Sequence, residues 1–216
     1  MSQLINLAAL GYTPYAYFSK VTIPHFQVNS VNDINFTLLL ETGFKGGIFD
    51  KDNTLTKPYQ HEVHPSIEEN VRTAKNLFPH ALLIDSNSAG TRDDPQYNEA
   101  KKIEDTLGIP VLHHVHKKPA GGKAIANHFK IDLSELSHYF MIGDRVLTDI
   151  AFGNRYGMLT ILVNPFTQEG DLQAAAAVRR SEHRRLEQRL FRGERAPPHP
   201  LYQPDLCNNV IAYGRT

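Results

Sequence analysis

Asp50 and Asp52 stand two residues apart in the stretch Asp50-Lys51-Asp52-Asn53-Thr54-Leu55-Thr56, directly after the apolar run Gly46-Gly47-Ile48-Phe49. On an extended chain, side chains at i and i+2 share a face. Two carboxylates so close call for a cation. Three further polar groups follow apolar runs in the same way: Asp85-Ser86-Asn87-Ser88, Lys117-Lys118-Pro119, and Gly143-Asp144-Arg145 with Thr148-Asp149. An Asp144 delivered beside Asp50 and Asp52 makes an oxygen-rich pocket, and hard oxygen ligands favour Mg²⁺, which shares its coordination with water and substrate phosphate. Such an ion withdraws charge from a phosphoryl group and lets an anionic nucleophile approach an anionic ester. Ser86 and Asn87 can donate hydrogen bonds to phosphoryl oxygens, and Lys118 adds a cation where negative charge collects. Taken singly, each motif has a plainer explanation, because an aspartate after a strand can cap a turn and Gly-Asp is ordinary turn chemistry. Their succession along the chain is what carries the chemical reading.

The elements that must position these residues are legible as an alternation. Strands are expected over Gly46–Asp50, Ala81–Asp85, Ile109–His113, His138–Ile142 and Met158–Val163. Between them, helices are expected over Ser66–Leu77, with Ser66 as N-cap and Glu69 at the capping-box position. Others run over Pro95–Leu107, stopped by Gly108, over Gly122–Lys130, and over Val146–Tyr156, stopped by Gly157. Strands alternating with helices of this length predict a parallel sheet with helices on both faces. In such sheets ligands bind at the carboxyl ends of the strands, where the polar groups lie.

The flanks read differently. Within residues 1–45, a short helix is expected around Leu7 to Leu10, and another capped by Asp33 and running through Glu41, with Ile34, Leu38 and Leu39 inward. Residues 169–196 hold seven arginines against five acids, and 171–192 read as one helix. That helix is either a solvated surface helix or an arginine-rich face for an anionic membrane or a partner subunit. Residues 197–216 begin Pro-Pro-His-Pro and read as an extended tail. The resulting division is an N-terminal segment 1–45, a core 46–168, the arginine-rich helix 169–196 and the tail 197–216.

Composition narrows the partners. Lys plus Arg and Asp plus Glu both number 23, so global charge gives no case for nucleic acid. The lone Cys207 cannot close an internal disulfide. No apolar run approaches the roughly 18 residues of a membrane span, and the N-terminus lacks the features of a secretory signal or a clear transit peptide. His113-His114-Val115-His116 is expected to be a surface cluster at a strand end rather than a metal site.

Asp50-Lys-Asp52-Asn-Thr-Leu-Thr resembles the first motif of haloacid dehalogenase (HAD) phosphatases, and Ser86, Lys118 and Gly143-Asp144 with Asp149 resemble their second, third and fourth. Phe49-Asp-Lys-Asp-Asn-Thr54, Ser86-Asn-Ser-Ala-Gly90, Gly108-Ile-Pro-Val111, Lys117-Lys-Pro119 and Gly143-Asp-Arg145 with Thr148-Asp149 look most like the mitochondrial phosphatidylglycerophosphate phosphatases of fungi and plants. The resemblance spans roughly residues 20–192. It implies a HAD-like, Rossmannoid three-layer α/β/α fold with a mainly parallel five-stranded sheet. It also implies Mg²⁺-dependent hydrolysis of phosphatidylglycerophosphate to phosphatidylglycerol, a precursor of cardiolipin, at the matrix face of the inner mitochondrial membrane. Asp85 departs from the pattern, since the residue before Ser86 is usually apolar in that group; it either points away from the phosphate or faces it.

On this resemblance Asp50 is expected to attack phosphorus, and Asp52 to act as acid and then base. Mg²⁺ would be held by Asp50, Asp52 through its carbonyl, Asp144 and Asp149, with Ser86, Asn87 and Lys118 on the phosphoryl group and Arg145 toward a lipid headgroup. Too few residues separate Asp52 from Ser86, or His113 from Gly122, for an inserted cap domain. An open site suits a bulky lipid presented by a bilayer, with peripheral contact through the N-terminal segment or the arginine-rich helix. The alternative use of the same segments is subunit packing in a homo-oligomer. The competing readings are a small soluble phosphomonoester as substrate and a non-catalytic scaffold or lipid-binding module.

Overall fold

The computed structural model describes residues 19–167 and 173–202. Five strands form one parallel sheet: β1 (Phe26–Val28), β2 (Gly46–Phe49), β3 (Leu82–Ile84), β4 (Tyr139–Gly143) and β5 (Leu159–Val163), in the order β1-β5-β4-β2-β3. The helices are α1 (Phe36–Glu41), α2 (Glu68–Leu77), α3 (Asn98–Leu107), α4 (Gly122–Phe129), α5 (Ala151–Arg155) and α6 (Gln173–Phe191).

Strand alternation sends neighbouring side chains to opposite faces. Phe49, Ile84, Phe140 and Ile142 enter one core with residues of α1, α2 and α3, while Ile48, Leu83 and Met141 enter another with Ile125 and Phe152 of α4 and α5. The sheet is therefore covered on both sides, as the near-continuous apolar strands require. Gly47 is obligatory here: a Cβ would lie 1.8 Å from the Phe140 ring on the neighbouring strand. Among the described residues no cap domain interrupts the α/β alternation.

The sheet has five strands, as expected, but not the expected five. The segment Ile109–His113 contributes only a bridge between Val111 and Ile84. Pro110 has no N–H to offer a ladder, although its carbonyl accepts from Ile84 N at 2.8 Å. The missing edge comes instead from β1, three residues within the segment expected to be helical, which pairs in parallel with β5. Residues 19–45 thus contribute a strand as well as α1.

Two caps also move. His64, not Ser66, caps the entry to α2, its Nδ1 accepting from Ser66 N at 3.3 Å. Pro65 favours extended backbone at residue 64, which puts the cap there. Asn35 rather than Asp33 caps α1, accepting from Leu38 N at 3.0 Å, while Asp33 accepts from Asn29 N and Ser30 N in the preceding turn. The helix Val146–Tyr156 opens with a widened turn over Val146–Ile150, in which Ile150 N donates to Arg145 O five residues back. The short helix near Leu7–Leu10 and Cys207 lie outside the described residues. The tail is not extended throughout: residues 199–202 close a turn, with Tyr202 N donating to His199 O at 3.1 Å, and pack with His199 stacked on Phe44 and Tyr202 edge-on to Phe26.

A buried polar network ties β1 to this frame. Asn154 Nδ2 donates to the carbonyls of Val21 and Ile23, both at 2.8 Å, and Asn154 Oδ1 accepts from Thr160 Oγ1 at 3.0 Å. Thr160 N donates to His25 Nδ1 at 3.1 Å, so that nitrogen is bare and Nε2 carries the proton toward Pro197 O, also at 3.1 Å. Burial and the neighbouring His199 push the His25 pKa down to about 4, and burial also pushes His199 to about 4. Both rings are therefore neutral in the folded protein, while the unfolded chain takes up protons first as pH falls. Their contribution is present above the ordinary value of about 6.5 and is lost between there and about 4. We expect His25→Gln to flatten the fall of unfolding free energy between pH 6.5 and 4, by up to about 1.4 kcal/mol per pH unit relative to wild type. Urea unfolding at stepped pH checks this.

Candidate active site

The sheet order places β2 and β4 side by side at its centre, and the chain leaves β2 toward β3 on one side before crossing to β4 on the other. Crevices open at the carboxyl ends of strands where the winding reverses. Asp50 follows β2 directly, and Gly143-Asp144 ends β4. Asp50 N donates to Ile142 O at 2.8 Å, extending the ladder to Asp50 itself. Asp149 comes in from the widened turn, its Oδ2 accepting from Arg145 N at 3.0 Å. A side chain at 143 would collide with it, since a Cβ there would lie 2.4 Å from Asp149 Oδ2. The glycine of Gly-Asp is thus a clearance requirement rather than turn chemistry.

Asp50, Asp144 and Asp149 each offer one oxygen, and these lie within 4.8 Å of one another. Lys118 Nζ, fully buried, sits 2.7 Å from Asp50 Oδ1 and 2.7 Å from Asp149 Oδ1. Arg179 Nε lies 2.7 Å from Asp144 Oδ2, an ion pair without hydrogen-bond alignment. Burial, opposed by Lys118 and reinforced by Asp149, raises Asp50 to about 7. Burial likewise raises Asp144 well above the carboxylate range against the pull of Arg179, and raises Asp85. Burial by itself would lower Lys118, but Asp149, Asp50 and Asp85 together hold it above its ordinary value.

Of the two directions open to Asp85, the side chain takes the one that faces the site. It is 2% exposed, 3.2 Å from His114 Nε2 and within the field of Lys118. His114 is consequently not part of a surface cluster: it is buried, with Nδ1 2.7 Å from His116 O and Nε2 3.1 Å from Ser86 O. Its neighbour His113 is exposed and stacks on Tyr97. Ser86 is buried, its Oγ 3.1 Å from Ser88 Oγ. Asn87 Oδ1 accepts from Lys118 N at 2.9 Å and so fixes the lysine's loop.

Two expected residues stand apart from the cluster. The Asp52 carboxylate is not among the three converging ones; its Oδ1 lies 2.5 Å from Lys51 Nζ and accepts from Tyr59 N. Arg145, expected to face a headgroup, has its guanidinium on Glu182, with Nη2 2.8 Å from Oε1. No local motif marks Glu182 or Arg179 as part of a site, and His114 stands out in the sequence only as a member of a histidine run.

Four carboxylates (Asp50, Asp85, Asp144, Asp149) thus meet two buried cations, Lys118 and Arg179, with His114 against Asp85. The donors facing the gap are all oxygen, and Asp144 Oδ2 is buried with no hydrogen bond. An all-oxygen, negatively biased set fits a hard divalent cation such as Mg²⁺. Removing the lysine from this cluster leaves buried like charges facing each other. Lys118→Met is expected to lower the unfolding free energy by about 3 kcal/mol or more, measured by urea unfolding of the metal-free protein; an unchanged midpoint would contradict the arrangement.

Residues 14–167 match the family model described as mitochondrial PGP phosphatase. The chain is 37% identical over 209 residues to phosphatidylglycerophosphate phosphatase 1, chloroplastic, of Chlamydomonas reinhardtii, covering 95% of this chain and 77% of that one. It is 40% identical over 184 residues to phosphatidylglycerophosphate phosphatase 1, chloroplastic/mitochondrial, of Arabidopsis thaliana, covering 84% of this chain but 52% of the plant protein, so it spans about half that relative's length. It is 31% identical over 160 residues to the mitochondrial phosphatidylglycerophosphatase GEP4 of Saccharomyces cerevisiae, covering 73% and 83%. The matched region contains every carboxylate of the cluster together with Lys118, and the chain belongs to the mitochondrial PGP phosphatase family.

Proposed function

We propose that this chain hydrolyses the terminal phosphate of phosphatidylglycerophosphate, giving phosphatidylglycerol for cardiolipin synthesis, through an aspartyl-phosphate on Asp50. The observation that carries the assignment of the nucleophile is accessibility. Asp50 is 14% exposed, against 2% for Asp144 and 1% for Asp149, so it alone of the three converging carboxylates opens toward solvent.

An Asp50 oxygen attacks phosphorus in line, and the bond from phosphorus to the glycerol oxygen breaks. Asp52 gives its proton to that leaving oxygen. It then takes a proton from water, whose oxygen attacks phosphorus and breaks the bond to Asp50, releasing inorganic phosphate. Lys118 holds Asp50 in place and faces the charge that develops on the phosphoryl oxygens. Ser86 and the Asn87-fixed loop orient that group. Asp50, Asp144 and Asp149, with the Asp52 carbonyl, would hold Mg²⁺, which supplies Lewis-acid neutralisation of phosphoryl charge.

The membrane part of the reading rests on α6. Its outer face exposes Arg180, Arg184 and Arg185, followed by Phe191, which is 94% exposed, and by Arg192. Arginines around an exposed aromatic suit peripheral contact with an anionic bilayer, at the matrix face of the inner mitochondrial membrane. No helix among the described residues is long and apolar enough to cross a membrane. A homo-oligomer built on this face would cover Phe191 instead, and the mass in solution distinguishes the two.

The test is phosphate release from phosphatidylglycerophosphate in detergent micelles, with Mg²⁺ or with chelator, beside a small soluble phosphomonoester. We expect the lipid to be preferred and the chelator to abolish turnover. Asp50→Asn should lower turnover by on the order of 10³-fold or more while the circular dichroism spectrum is kept. Preference for the soluble ester reverses the substrate assignment. Retained turnover in Asp50→Asn refutes the covalent scheme, and no turnover by wild type on either substrate leaves a scaffold.

A further inference from the structure

The inner face of α6 meets the loop that carries Asp144. Residues at i, i+3 and i+4 share one face of a helix, and here these are Arg179, Glu182 and His183. Arg179 pairs with the Asp144 carboxylate at 2.7 Å, and His183 Nε2 lies 3.3 Å from the Asp144 carbonyl. Glu182, whose side chain is 0% exposed, accepts from Val146 N at 3.0 Å and Leu147 N at 3.4 Å. It also accepts from the Arg145 guanidinium, with Nη2 at 2.8 Å and Nε at 3.4 Å.

The widened turn begins at Val146 with no cap from its own N-cap residue, Arg145. The first N–H groups of a helical turn have no partner within it and need one from outside. Glu182 fills that role from a distant part of the chain, and it brings the negative charge that a helix start favours. A cavity of about 310 Å³ lies beside the contact, lined by Thr22, Val146, Leu147, Glu182, Leu186 and Arg189 among others. Val146 and Leu186, on its rim, pack in a small apolar cluster with Ile23, Ile150 and Leu162, and Glu182 supplies the polar contact to the loop.

We propose that α6 is a clamp on the metal loop, with Arg179, Glu182 and His183 acting as positioning residues that fix Asp144 and Asp149 for the divalent cation. This rests on the metal-dependent reading above. Both carboxylates hang from the backbone that Glu182 caps: Asp144 precedes Arg145, and Asp149 accepts from Arg145 N. Residues that orient metal ligands from behind typically change affinity 10- to 100-fold when removed. The helix that faces outward with arginine would thus hold the catalytic loop with its inner side.

The experiment is isothermal titration calorimetry of Mg²⁺ into the full, metal-free chain, at a temperature where circular dichroism gives a folded protein for every variant. Glu182→Ala is expected to weaken Mg²⁺ binding about 10- to 100-fold. Glu182→Gln keeps an acceptor oxygen for the turn and is expected to recover most of that loss. A lowered unfolding temperature with an unchanged Mg²⁺ affinity in Glu182→Ala would make the contact merely structural and overturn the clamp, while leaving the phosphatase reading intact. Should Glu182→Ala not fold, Arg179→Met reads the same claim: weaker binding is expected, and tighter binding would make Arg179 a competitor of the cation and overturn it. Wild-type protein that takes up no Mg²⁺ would sink both the clamp and the metal-dependent reading.

Discussion

Lys118 bridges two carboxylates in a buried site, and the rest of the structure is arranged so that it can. Its ammonium lies 2.7 Å from both Asp50 and Asp149, with Asp85 beneath it. A buried cation of this kind is tolerable only when its partners are ionised, and those partners are tolerable together only when it is present. The remaining negative charge fits a second, divalent cation. The sheet contributes by adjacency: β2 and β4 are neighbours at the centre, so the ends of two sequence-distant strands deliver Asp50 and Asp144 to one point.

Much of this was legible in the sequence because the information is local. Each strand end announces its polar group within a few residues, and strand alternation with helices fixes which ends point together. Gly143 illustrates a limit: Gly-Asp reads as a turn, but the structure assigns the glycine to clearance for Asp149, a contact between residues 143 and 149 that spacing alone does not specify. The fifth strand was misassigned for a related reason. Phe26–Val28 is too short for a periodic signal, and it becomes a strand only because β5 offers it an edge and Asn154 and Thr160 anchor what precedes it.

What the sequence hid lies in long-range pairs of ordinary residues. His114 looked like one member of a histidine run, yet burial against Asp85 and the Ser86 carbonyl makes it part of the site's floor. The arginine-rich helix looked like a surface element, because composition averages over its faces. Its two sides differ: Arg180 and Arg184 are exposed, whereas Arg179 and Glu182 are buried on the loop that bears Asp144. The apolar signal of this helix is weak because its buried face mixes Ala176 and Leu186 with the ionic Arg179 and Glu182, and hydrophobic patterning does not register charge that is satisfied internally.

The proposed chemistry requires a divalent cation to complete the carboxylate cluster. Differential scanning calorimetry of the full chain, titrated with Mg²⁺ from a chelated start, tests it without reference to any substrate. A cation bound only by the folded protein stabilises it by about 2.7 kcal/mol at a hundred times its dissociation constant. The unfolding temperature should rise with Mg²⁺ in wild type and be insensitive to it in Asp144→Asn. An unfolding temperature that Mg²⁺ leaves unmoved in wild type would contradict it.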